Sequence, residues 1–222
     1  MSEWTSLETP TGRIRAWRAD PHIPPRGALV VVQEIFGVNE HIRAVCTTFA
    51  DHGYVAMAPA LFDHFEHDVQ LRYDAEGVNR GRELVERLGF ERALQDVHAV
   101  AEQLTGSGKV GVVGYCWGGT VAFLANTRLS MPAVSYYGAR TVPFLDERLD
   151  APMLFHFGER DASIPAKDIA LHRERQPEAE IHVYPAGHGF NCDQRADHEP
   201  HSAALALERT LGFLHRALPP AY

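Results

Sequence analysis

At 222 residues, 45% hydrophobic and 23% charged, the chain is long enough to bury one sizeable core and has an ordinary globular composition. Its formal net charge of −8 leaves no electrostatic footprint for nucleic acid. No apolar run approaches the roughly 18 residues of a spanning helix, and MSEWTSLETPTGRIR reads as neither signal peptide nor anchor, so a cytoplasmic protein without nucleic-acid or membrane partners is expected.

In chain order, residues 11–18 read as an antiparallel edge strand, and 27–34 (GALVVVQE), dense in β-branched residues, as a buried strand. Asn39 is a plausible N-cap for a helix that stops near Gly53. YVAMAP (54–59) is the next strand, and the polar, histidine-rich stretch 61–77 reads as loop or lid. A helical region broken near Gly89 runs to about Leu104. Strand 109–115, helix 117–128 and strand 133–137 follow, then strand 152–157, helix 166–175, strand 180–184 and a closing amphipathic helix 202–217.

Strands separated by helices imply an α/β fold, a mostly parallel central sheet with helices on both faces. No stretch resembles an interdomain linker, so residues 1–222 are expected to form one domain. Ligands of such sheets sit at the carboxyl ends of strands, which filters every motif below. Gly106–Gly111 fits G-x-G-x-x-G but precedes a strand instead of following one, so it reads as a tight turn. The pairs His64/His67 and His198/His201 come without further ligands at metal spacing, and no metal site is expected. Cys46, Cys116 and Cys192 are far apart and odd in number, which argues against a disulfide framework.

The chemistry concentrates at Gly114-Tyr-Cys-Trp-Gly118-Gly119, a nucleophile-elbow pattern with cysteine in the serine position. The strand must reverse sharply into a helix, and small residues two before and two after let the neighbouring segments approach. Helix N-terminal amides below Cys116 favour a thiolate and can donate to an oxyanion. The alternative is a small buried apolar cysteine. A thiolate needs a base, and the base an orienting acid, in the chain order nucleophile, acid, histidine. Asp161 follows the strand PMLFHF, with Glu159 as an alternative carboxylate, and His188 follows EIHVYP between glycines. The backbone N–H groups of Trp117 and Ile35 are the candidate oxyanion donors. Glu34 ends a very apolar strand; it either opposes thiolate formation or accepts the thiol proton, or it faces solvent.

The segments VVQEIFGVNEHIR, GYVAMAPALFD, KVGVVGYCWGGTVAF, AVSYYG, PMLFHFGERD, AGHGF and AALALERTLGFL together resemble the dienelactone hydrolase (carboxymethylenebutenolidase) family, in that family's order. The resemblance is weakest over residues 62–92. It implies an α/β-hydrolase fold and hydrolysis of an enol-lactone ester bond without a cofactor. The family's cysteine, aspartate and histidine fall on Cys116, Asp161 and His188, and its strand-end glutamate on Glu34. There the glutamate holds the resting thiol neutral and takes its proton when substrate binds; Ile35 gives the second oxyanion amide.

The sequence departs from the family at the arginines that hold a substrate carboxylate. The residues just after His188 are Asn191, Cys192 and Asp193, with arginine only at Arg195; Arg80 and Arg82 stand before the elbow. Each is a candidate carboxylate clamp or a solvated surface charge. Tyr136 and Trp117 are expected to line the pocket. The expected partner is a small lactone or ester, carboxylate-bearing, and the protein a monomer or weak homodimer. A thioesterase or other small-ester hydrolase on this scaffold, and a non-catalytic ligand-binding member, are the alternatives.

Overall fold

The computed structural model describes residues 1–219. They fall into two compact units, Met1–Gly111 joined by Leu218 and Pro219, and Val112–Ala217.

In the first unit the strands are β1 (Ser2–Thr9), β2 (Gly12–Ala19), β3 (Gly27–Val32) and β4 (Tyr54–Pro59), in the spatial order β1-β2-β4-β3. β3 and β4 are parallel, while β2 runs antiparallel to both β1 and β4. The expected edge strand at 11–18 is therefore β2, flanked on both sides, and β1 is the outer strand. β1 escapes a periodicity reading because Leu7 is its one buried residue. Its second anchor is an edge-to-face contact of Trp4 on Trp17, centroids 5.5 Å apart.

β3 ends two residues earlier than the apolar run suggests. The buried Gln33 side chain donates to the Glu34 carbonyl and accepts the Leu61 N–H, so side-chain bonds replace the ladder at this turn. Asn39 caps α1 (Glu40–Asp51), its Oδ1 accepting the Ile42 N–H at 3.2 Å. The stretch read as loop or lid is more ordered than expected. It opens with a 3-10 turn, Leu61–His64, whose Leu61 and Phe62 are buried. His64 is then held by the fully buried Asp96, Nε2 to Oδ2 2.7 Å. Asp74 caps α2 (Ala75–Leu104), which bends where Gly89 takes φ 70°. α1 and α2 pack on β3 and β4.

The second unit carries β5 (Val110–Tyr115) from Val112 onward, β6 (Ala133–Tyr136), β7 (Met153–Gly158) and β8 (Glu180–Tyr184), in sequential order and all parallel. α3 (Trp117–Leu129), α4 (Ala166–Arg175) and α5 (Pro200–Ala217) alternate with them; α3 packs on β6 and α5 on β7. Its core includes a closed polar network. The buried His156 bonds Tyr184 Oη through Nδ1 (2.8 Å) and Thr210 Oγ1 through Nε2 (2.9 Å), and Thr210 meets Tyr136 Oη at 2.7 Å. Burial, with the neighbouring His182 and the positive charge of Arg209 adding to it, drives the His156 pKa well below its ordinary value, so the ring is neutral. Among the described residues no helix is long and apolar enough to cross a membrane.

Candidate active site

The elbow is built by close backbone approach. A Cβ on Gly114 would lie 1.8 Å from the Gly118 carbonyl oxygen, and one on Gly119 would lie 2.7 Å from Ser135 Oγ. With glycine at both places, β5 turns directly into α3. Cys116 occupies the apex with φ 53° and ψ −118°, a left-handed conformation that a non-glycine residue adopts only under constraint. Its N–H donates to the Tyr136 carbonyl (2.9 Å) and its carbonyl accepts the Gly119 N–H (2.9 Å), which holds the strain in place.

Two loops of the same unit bring partners to the thiol. After β7 the chain turns so that Asp161 is buried, and Oδ1 accepts the Ser163 N–H at 2.8 Å. Oδ2 accepts the Nδ1–H of His188 at 2.7 Å. A carboxylate only accepts, so this bond fixes the ring and leaves Nε2 facing the sulfur of Cys116 at 3.1 Å. Glu159 is exposed, and its backbone N–H donates to Tyr184. The approach of the His188 loop again rests on glycine, since a Cβ on Gly158 would meet the Ala186 carbonyl oxygen at 2.5 Å.

The electrostatics follow from this geometry. Burial opposes charging His188, but the negative charge of Cys116 and the hydrogen bond and charge of Asp161 outweigh it, raising its pKa to about 10. A cysteine at a strained elbow, an imidazole in contact with its sulfur and a buried carboxylate orienting that ring form an arrangement that can perform acyl transfer.

The other expected residues occupy varied settings. Trp117 is the first residue of α3 and is buried. Tyr136 is fully buried, stacked on Tyr115 with its hydroxyl bonded to Thr210. Arg195 is half-buried, and its guanidinium lies over Gly189: a Cβ there would fall 2.6 Å from Arg195 Cζ. In the first unit, Glu34 is fully buried and Ile35 half-buried. Arg80 is exposed and paired with Glu66 (2.8 Å) and Glu83 (3.1 Å), and Arg82 is exposed. Sequence reasoning overlooked Tyr73, whose hydroxyl donates to Glu34 Oε2 at 3.1 Å. No spacing rule links residue 73 to residue 34; the docking of the segment before α2 creates the contact.

The profile of the "Dienelactone hydrolase family" matches residues 14–218. A "Carboxymethylenebutenolidase" of Pseudomonas putida is 32% identical over 227 residues, covering 96% of each chain. The crystal structure of a "Putative Dienelactone Hydrolase" from Klebsiella pneumoniae superposes with TM-score 0.85 at 30% identity, covering 97% of this chain and 98% of that one. A solved "a/b serine hydrolase without lid" from Xanthomonas campestris gives TM-score 0.68 at 15% identity, covering 100% and 97%, a likeness of fold alone.

Proposed function

The chain belongs to the dienelactone hydrolase family, and on that premise we propose that it is a cysteine-dependent hydrolase opening the ester bond of a dienelactone or similar small lactone. An α/β-hydrolase fold and action on ester bonds come with the family. We take the chain as one catalytic domain acting in the cytoplasm, in keeping with cysteines that are not joined in a disulfide. The observation that carries the cysteine chemistry is the short chain Cys116 Sγ–His188 Nε2 (3.1 Å) and His188 Nδ1–Asp161 Oδ2 (2.7 Å) at a strained elbow.

In this reading the thiol proton leaves to Glu34, a role resting on the family resemblance, and the thiolate faces the His188 imidazolium. Sulfur attacks the acyl carbon, and the amides of Trp117 and Ile35 receive the oxyanion. The tetrahedral intermediate collapses to a thioester and expels the enolate, which takes the His188 proton. Neutral His188 then takes a proton from water as its oxygen attacks the thioester. Collapse expels the thiolate and releases the acid, and Glu34 returns its proton to sulfur. The substrate is a small carboxylate-bearing lactone or ester. Of Arg80, Arg82, Arg195 and Tyr136, the proposed substrate contacts, Arg195 has the most support, because its guanidinium lies beside the residue that follows His188.

The test is Cys116→Ala assayed on a dienelactone, an aryl ester and a thioester. Loss of all turnover with the dienelactone as the best wild-type substrate supports the reading. Near wild-type rates in the variant overturn it, and a preference for thioesters moves the function to a thioesterase.

A further inference from the structure

The buried carboxylate of Glu34 is held by a directional chain of hydrogen bonds within the first unit. Its Oε2 can only accept, so the Tyr73 hydroxyl at 3.1 Å is the donor. That leaves the phenol oxygen to accept from Asn39 Nδ2 at 2.9 Å. The orientation of Asn39 is not free either: its Oδ1 is committed to the Ile42 N–H as the cap of α1, which turns Nδ2 toward Tyr73. Polarity therefore runs one way, from the cap of α1 through Tyr73 to Glu34, and each donor strengthens the next.

Tyr73 is fixed from both sides. Ahead of it, Leu71 N–H donates to the Phe36 carbonyl (2.9 Å), and Gln70 bridges Gly37. Behind it, Asp74 caps α2. The turn is so tight that a Cβ on Gly77 would lie 1.9 Å from the Arg72 carbonyl oxygen. The Tyr73 ring packs on Phe36 with centroids 4.5 Å apart. The segment is thus tied to the loop that follows Glu34 and to the start of α2, with the phenol over the carboxylate.

We infer that Tyr73 is a positioning residue for the hydrolytic reaction: its hydroxyl, oriented by Asn39, holds Glu34 in the geometry that proton transfer requires. This rests on the reading of Glu34 as the activating carboxylate. Tyr73 itself touches no reacting atom in this scheme. Its effect belongs to kcat and disappears when the carboxylate is gone.

The experiment measures kcat and KM on the dienelactone for Tyr73→Phe, Glu34→Gln and the double variant, with thermal melts alongside. Tyr73→Phe keeps the ring on Phe36 and removes only the donor. Its kcat is expected to fall about tenfold with KM changed by less than about twofold. In the Glu34→Gln background the same change is expected to cost less than about twofold, the non-additivity of residues acting as a unit. Asn39→Ser, which keeps a capping oxygen and removes the donor to Tyr73, is expected to lower kcat about threefold. If Glu34→Gln is impaired but Tyr73→Phe keeps full kcat, the inference fails and the Glu34 reading stands. Equal losses from Tyr73→Phe in both backgrounds assign it a merely structural part and also overturn the inference. Full kcat in Glu34→Gln overturns the Glu34 reading, and Tyr73 falls with it.

Discussion

Cys116 Sγ and His188 Nε2 lie 3.1 Å apart across 72 residues of chain, within one structural unit. Each end is held in place: the sulfur by a backbone elbow at φ 53°, the ring by its side-chain bond to Asp161. Replacing His188 by Gln removes both the proton donor and the positive charge facing the sulfur. We expect kcat/KM on the dienelactone to fall about a thousandfold, with the melting temperature little changed. Loss of less than about tenfold would remove His188 from the proton transfers of the scheme.

Asp161→Asn tests orientation separately from charge. An amide at this position can present a donor to Nδ1 and so favours the tautomer with its proton on Nε2. A loss of about a hundredfold or more in kcat is expected. Glu159→Gln is the control; its exposed side chain should leave kcat within about twofold. Steady-state kinetics on the two variants distinguish the carboxylates, and a reversed pattern would reassign the acid.

Stability should depend on pH through His188. Its pKa is raised from 6.5 in the free side chain to about 10 in the folded protein. The folded state therefore binds a proton that the unfolded chain releases above about 6.5. The sign is fixed: the contribution is complete below pH 6.5 and is lost as pH rises toward 10. Urea titrations of the wild type and His188→Gln across this window should show the wild type losing stability more steeply. Parallel slopes would contradict a proton held by the folded protein.

Thr210→Val probes the network beneath the site. The substitution keeps the side-chain shape but strips the partner from His156 Nε2 and Tyr136 Oη, both deeply buried. A destabilisation of about 2–4 kcal/mol is expected in chemical denaturation. Because Thr210 lies outside the proton transfers, kcat of the folded enzyme should stay within about twofold.

Gly114→Ala tests the elbow. The added Cβ would lie 1.8 Å from the Gly118 carbonyl oxygen, backbone that must move and carry Cys116 with it. A loss of about 3 kcal/mol is expected, together with most of the activity. A variant with wild-type stability and rate would show that the approach can relax without cost.

Much of this molecule is legible in its sequence, for identifiable reasons. The six buried residues of GALVVV and the six of YVAMAP announce strands because a strand covered on both faces needs apolar side chains throughout. Gly114 and Gly119 announce an elbow because the turn leaves no room for a Cβ. The order of Cys116, Asp161 and His188 follows from the order in which parallel strands deliver loops to one end of a sheet. Tertiary structure decided the contacts that no period or spacing encodes. It gave His188 to Asp161 and left Glu159 exposed, two carboxylates two residues apart in one loop. It set β1 outside β2 through a tryptophan pair and a single buried leucine, too sparse for a pattern. It also brought Tyr73 onto Glu34, 39 residues away, through the cap of one helix and the tight turn into another. Local sequence records where a backbone must bend and which faces must be dry. Which polar groups meet depends on how distant segments dock, and that is settled only when the chain closes on itself.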